Sequence, residues 1–163
     1  MDATCGNGHD AERLAELVEG GHLYAIDQQQ AAIDATQARL EQLNSKTTVS
    51  YHCQSHVTFP PISPERAIKG IIYNLGYLPG GDKSVTTTTE TTLESLREAV
   101  ERVCPGGFVC VTCYPGHTAG ACEQEAVIRW ACSLAPKEFC CTHNQWLNRK
   151  AAPSLLLIQK AIN

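Results

Sequence analysis

The stretch Cys5-Gly6-Asn7-Gly8-His9-Asp10, answered by Asp27 at the end of the run His22-Leu23-Tyr24-Ala25-Ile26, decides how the chain folds. Two glycines separated by one residue let backbone come close to a ligand, and a helix starting there offers it unpaired N–H groups. Ala11 to Val18 has helix-forming composition, with Leu14, Leu17 and Val18 on one side, and Gly20-Gly21 ends it. His22 to Ile26 is a short β-prone run, and Gln29 to Leu43 carries Ala32, Ile33, Thr36, Leu40 and Leu43 at helical spacing. The order is loop, helix, strand, helix. Asp27 falls about 20 residues after Gly6, placed to accept both hydroxyls of a ribose.

The alternation continues outward. Thr47 to Cys53 reads as a strand followed by Gln54-Ser55-His56, and a link with Pro60, Pro61 and Pro64 leads to the apolar run Ile68 to Tyr73, which ends at Asn74. A Gly- and Thr-rich loop is expected from Leu75 to Thr91, then a helix from Thr92 to Val103 with Leu93, Leu96, Val100 and Val103 in one stripe. Pro105-Gly106-Gly107 reads as a turn, Phe108 to Tyr114 as a buried strand and Cys122 to Leu134 as the last helix. Phe139 to His143 and Ser154 to Ile162 have little room for a helix between them, so they are expected as an antiparallel pair at the sheet edge. The whole predicts one α/β domain over residues 1–163: a mostly parallel, doubly wound, Rossmann-like sheet, which binds ligands outside the carboxyl ends of its strands.

Composition narrows the classes. With 163 residues and 43% hydrophobic content the chain can build one real core. A net charge of -4 and a pI near 5.8 give no protein-wide field for nucleic acid or an acidic membrane, so any RNA contact must be local or built by pairing two subunits as a homodimer. No window approaches the roughly 20 apolar residues of a membrane span, which predicts a soluble chain. The nine cysteines are odd in number and sit in regular α/β pattern, which fits a reducing compartment better than a disulfide scaffold. Cys110 with Cys113 and Cys140 with His143 have metal-ligand spacing, but both pairs fall in strands, where residues three apart face opposite ways; no metal is expected.

The residues just after each strand carry the chemistry. Gly6, Asn7, Gly8, Asp10 and Asp27 suit a nucleotide-type ligand. Gly6-x-Gly8-x-x-Ala11 also satisfies the dinucleotide fingerprint, so NAD remains an alternative, although polar side chains at Asn7, His9 and Asp10 crowd a place where a pyrophosphate wants bare backbone. Asp10 could answer an ammonium group instead, and Ser55 and His56 are placed to meet an adenine edge. Asn74-Leu75-Gly76-Tyr77 has the Asn-to-aromatic spacing of the N-P-P-Y tetrad of methyltransferases acting on amino nitrogens: an acceptor holds the amine N–H while an aromatic packs the flat substrate. Gly80-Gly81-Asp82-Lys83 extends that loop with backbone N–H groups and a lysine suited to a phosphate or a substrate edge. Tyr114-Pro115-Gly116-His117 adds a second aromatic and a titratable ring on the same rim, in either a proton-accepting or a simple hydrogen-bonding role.

The blocks Asp2 to Asp10, Asn74 to Lys83 and Tyr114 to His117 together resemble the small bacterial and plastid class I methyltransferases once labelled rRNA methylase-like. That resemblance implies an S-adenosylmethionine-dependent enzyme that methylates the aminomethyl group of 5-aminomethyl-2-thiouridine at the tRNA wobble position, with the anticodon region of tRNA as partner and a cytoplasmic or plastid-stroma location. It further implies that Asn7, Asp10, Asp27, Gln29, Ser55 and His56 bind the cofactor, while Asn74, Tyr77, Asp82 and Lys83 frame the target amine. Two positions depart from the pattern. Ala11 stands where the family usually has Thr, and only Met1 precedes Asp2 where relatives carry a complete first strand, which predicts a truncated central strand and lower stability and cofactor affinity than a longer form. The rival readings are a methyltransferase of rRNA or of a small amine, an NAD-dependent oxidoreductase, and a non-catalytic RNA-binding module.

Overall fold

The computed structural model describes residues 1–63, 66–76 and 86–162. Its elements run α1 (His9–Leu17), β1 (His22–Asp27), α2 (Gln30–Leu40), β2 (Thr48–Cys53), β3 (Ile68–Asn74), α3 (Thr89–Arg102), β4 (Val103–Cys113), α4 (Thr118–Cys132), β5 (Phe139–Asn144) and β6 (Ser154–Lys160). β1 and β2 pair in parallel, and β3, β4, β6 and β5 lie side by side in that order. β3 and β4 are parallel, while β6 runs antiparallel to both β4 and β5.

Met1 to Ala3 join these two pieces at the centre. Asp2 bridges in parallel to Ala25 on one side and to Ile72 on the other. The Asp2 N–H donates to Tyr24 O at 2.8 Å and the Ala3 N–H to Ile72 O at 2.9 Å, and Asp2 O and Met1 O accept from Ile26 and Ile72. Three residues thus fill the place of the central strand, the short one expected from the start of the sequence.

Alternation along β1 sets the layers. Leu23 and Ala25 pack with Ala11, Ala15, Ile33 and Leu40 of α1 and α2, whereas Tyr24 and Ile26 join Leu96, Val100, Val127 and Ala131 of α3 and α4. Successive side chains of a strand point to opposite faces, so the two helix pairs cover opposite faces of the sheet. Ala11 is fully buried in the first of these layers, where a small side chain lets α1 approach the sheet.

Three boundaries differ from the sequence reading, each for a local reason. α3 begins at Thr89 rather than Thr92, because Thr88 and Thr91 form a reciprocal capping box. α4 begins at Thr118 rather than Cys122, because the His117 ring accepts the Gly120 N–H. Pro105-Gly106-Gly107 is not a separate turn but an irregularity within β4, with Gly106 at φ 74 and a register shift against β3 between Ile68 and Gly70. The C-terminal pair is antiparallel as expected, although β6 is interior and β5 alone forms the edge.

Candidate active site

The carboxyl ends of the parallel strands open into a cavity of about 950 Å³. The loop from Ala3 to Asp10 forms its floor, Asp27 to Gln29 and His56 one wall, and Asn74 to Gly76, Thr87, Tyr114 and His117 the other.

Asp27 is held from two directions: its Oδ2 accepts the Gly6 N–H at 3.0 Å and its Oδ1 the Gln29 N–H at 2.9 Å. Each oxygen retains a lone pair, so the carboxylate can still take ribose hydroxyls while fixing the glycine loop. Thr36 Oγ1 donates to Gly6 O at 3.0 Å, and Arg39 Nε donates to Asn7 O at 2.9 Å, bracing that loop from α2. Gly6 and Asn7 line the cavity, whereas Gly8 faces away from it: at φ 79 it lets α1 start against α2, where a Cβ would stand 2.8 Å from Thr36 Cα. Gln29, at the N-cap of α2, is also in the wall.

His56 is 7% exposed and its Nε2 is buried without a hydrogen-bond partner among the described residues. Burial lowers its pKa against a smaller upward pull from Asp27, so the ring stays neutral. Its carbonyl accepts from Ser95 Oγ at 2.6 Å, and because that hydroxyl proton is used, Tyr73 OH donates to Ser95 Oγ at 2.8 Å. A neutral imidazole locked in place with one vacant ring nitrogen facing a cavity suits a heteroaromatic base edge. Ser55 lies outside the cavity lining; it is exposed, and its Oγ accepts the Val57 N–H at 3.3 Å in the turn after β2.

Asn74 ends β3 at the opposite wall. Its Nδ2 donates to Asp10 Oδ2, and its Oδ1 accepts from Tyr114 OH at 3.4 Å. An ionised carboxylate only accepts, so Asp10 dictates which way the amide faces and leaves Oδ1 as the acceptor toward the cavity. Burial, with Asp10 adding, raises the Tyr114 hydroxyl pKa, which keeps its proton available to Asn74. The Asn74 N–H donates to Thr4 Oγ1 at 2.7 Å, tying the end of β3 to the first loop. His117 Nδ1 accepts from Gly120 N–H at 3.1 Å, so that nitrogen is committed to capping α4 and only Nε2 remains for a ligand. Tyr77, Asp82 and Lys83 lie outside the described residues.

Sequence reasoning missed Thr4, Thr87, Ala151 and Pro153, all of which line the cavity. Thr87 and Gly76 clasp the base of their loop: Gly76 N–H donates to Thr87 Oγ1 at 2.8 Å, Thr87 N–H donates to Gly76 O at 3.1 Å, and Thr87 Oγ1 donates to the buried Glu123 at 3.1 Å. Only the polar tetrads were legible as chemistry; a threonine in a threonine run carries no such mark. Ala151 and Pro153 arrive through the antiparallel return of β6 along β4.

Chemically the cavity is acidic, and its thiol is inert. Asp10 and Asp27 line it, while burial pushes the Cys5 thiol up to about 12, excluding a thiolate nucleophile. Among the described residues no group of three metal-ligating side chains occurs. A ribose acceptor, a vacant imidazole edge and paired carboxylates fit a cationic nucleoside such as S-adenosylmethionine, whose sulfonium and ammonium groups are matched by negative charge.

A doubly wound sheet with an antiparallel penultimate strand, an acid ending its second strand position and an Asn ending its fourth is the fold and site of the class I S-adenosylmethionine-dependent methyltransferases. Within that class the chain belongs to the family described as "Putative rRNA methylase", whose model matches residues 23–160. It is 37% identical over its full length to "tRNA (mnm(5)s(2)U34)-methyltransferase, chloroplastic" of Arabidopsis thaliana, and spans 63% of that relative's length. The crystal structure of a "putative rRNA-methylase" from Clostridium thermocellum superposes with a TM-score of 0.89 at 35% identity, covering 98% of this chain and 86% of that one. A methyltransferase from Streptococcus mutans in complex with SAH gives a TM-score of 0.84 at 35% identity, with the same coverage of both chains. The methyltransferase family leaves the dinucleotide reading of Gly6-x-Gly8 without support.

Proposed function

We propose that this chain is the catalytic domain of an S-adenosylmethionine-dependent N-methyltransferase that acts on the 5-aminomethyl group of 2-thiouridine at the tRNA wobble position. The observation that carries the reading is Asn74, oriented by Asp10 and Tyr114 across the cavity from Asp27 and His56. The Arabidopsis relative supports the tRNA substrate, and the SAH complex of the Streptococcus mutans relative supports the cofactor.

Bound S-adenosylmethionine supplies a methyl group on a sulfonium leaving group, so neither metal nor covalent enzyme intermediate is needed. The chain's own work is to hold and deprotonate the amine. Asn74 Oδ1 accepts one amine N–H and so points the nitrogen lone pair into the cavity. An alkylammonium has no lone pair, and the Asp10 carboxylate beside Asn74 both attracts it and offers an oxygen for its proton. His117 Nε2 is the second group on that rim able to take a proton. Tyr114, 42% exposed at the mouth, offers a ring face to a flat pyrimidine.

The test is methyl transfer from labelled cofactor to tRNA bearing 5-aminomethyl-2-thiouridine, with the product nucleoside identified by mass. A gain of one methyl group on the aminomethyl nitrogen is expected. Methylation of ribosomal RNA but not of this tRNA would move the assignment to the family's printed description.

A further inference from the structure

We propose that the β5–β6 loop, residues 145–153, is a docking platform for single-stranded RNA beside the catalytic cavity, with Trp146 as a base-stacking surface and Arg149 and Lys150 as phosphate contacts. The inference rests on the reading of the chain as an RNA methyltransferase and names the part of the molecule that holds the nucleotides flanking the target.

Topology puts the loop at the right end of the sheet. β6 is registered antiparallel to β4, with Cys113 opposite Ser154, and β5 to β6, with Asn144 opposite Leu155. The loop therefore emerges beside Tyr114, and Ala151 and Pro153 are themselves in the cavity lining. Ala151 takes φ 52, a left-handed conformation that costs any residue but glycine, and there the chain turns back from the exposed tip to the cavity wall.

The tip has the chemistry of a single-strand binder. Trp146 is 59% exposed, with the Arg149 guanidinium 5.1 Å from its ring centroid. A large aromatic held on one side by a cation offers a pre-positioned face to a base, and base–aromatic stacking tolerates any sequence. Neither Arg149 nor Lys150 pairs with an acid among the described residues. Charge along the sequence points the same way: the chain carries -4 overall, yet residues 139–163 hold Arg149, Lys150 and Lys160 and not one Asp or Glu. An acid-free C-terminal region on an acidic protein is the local positive footprint that a polyanion requires. Gln145, Asn148, Arg149 and Lys150 surround the two apolar side chains Trp146 and Leu147, so the tip is a small polar-rimmed patch, unlike the broad apolar face of a protein interface.

The experiment measures binding of the full chain to a fluorescein-labelled anticodon stem-loop RNA and to a fully paired RNA hairpin, alongside calorimetric titration with SAH. Trp146→Ala is expected to weaken stem-loop binding about tenfold or more, with Trp146→Phe restoring most of it, while SAH affinity stays within twofold for both. Joint Arg149→Ala and Lys150→Ala replacement is expected to flatten the log-affinity against log-salt slope by about one unit. Wild-type chain that binds SAH but neither RNA overturns the RNA-methyltransferase reading and the platform with it. Stem-loop binding that survives Trp146→Ala, or equal binding of the paired hairpin, overturns the platform alone. Loss of self-association in Trp146→Ala with unchanged RNA binding would assign the patch to a second copy of the chain and also overturn it.

Discussion

Asp27 and Asn74 face one another across the cavity and have separable jobs. Asp27 fixes the glycine loop through Gly6 and Gln29 and offers its remaining lone pairs to a ribose, so Asp27→Ala should raise the SAH dissociation constant at least tenfold. Asn74 touches only the amine side, so Asn74→Ala should leave SAH affinity within twofold and lower kcat about a hundredfold in single-turnover methylation. Equal loss of SAH binding in both variants would refute this division. Asp2 gives a pH signature at the same scale. It is fully buried with Oδ2 unpartnered, and desolvation raises its pKa to about 7, outweighing the hydrogen bond from Thr4. Its folded form binds a proton that the unfolded chain releases near pH 4, so stability should fall as pH rises from about 4 to 7 and then level off. Denaturation midpoints across that range should show the fall in the native chain and a flattened profile in Asp2→Asn; identical profiles would remove Asp2 as the cause.

Elements place these residues by their ends. α1 can begin immediately after the cofactor loop because Gly8 adopts φ 79 and passes Thr36 without a side chain. Gly8→Ala combines a left-handed alanine with a Cβ 2.8 Å from Thr36 Cα, and should cost about 2–3 kcal/mol in chemical denaturation. A loss below 0.5 kcal/mol would show that α1 and α2 separate freely at this point. The first motif was legible as a ligand loop, but its two glycines have different tasks, one facing the cavity and one facing a helix, and no spacing rule distinguishes them. The helix starts at Thr89 and Thr118 were missed for a related reason: Thr88 and His117 act as caps, a role that shows only when the N–H groups of Thr91 and Gly120 are seen pointing at them.

At the scale of the molecule, the cavity draws on both halves of the sheet. Asp27 and His56 come from the β1–β2 side and Asn74, Tyr114 and His117 from the β3–β4 side, with Met1 to Ala3 hydrogen-bonded to both. A ligand seated between them binds only the assembled sheet. SAH at about a hundred times its dissociation constant should therefore add roughly 2.7 kcal/mol and raise Tm by roughly 5–10 °C. An unchanged Tm would mean that the cavity does not take the cofactor.

The sequence alone determined the α/β class, the strand-by-strand order and the identity of Asp27, His56, Asn74, Tyr114 and His117 as strand-end residues, because periodicity and glycine placement are local properties of the chain. Tertiary structure decided what those residues face. Only the folded sheet brings Asp10 onto Asn74 across 64 positions and so fixes the amide's direction, commits one nitrogen of His117 to a helix end, and leaves Ser55 outside the cavity that His56 enters. It also carries Ala151 and Pro153 to the rim, since an antiparallel return links residues that no local pattern connects.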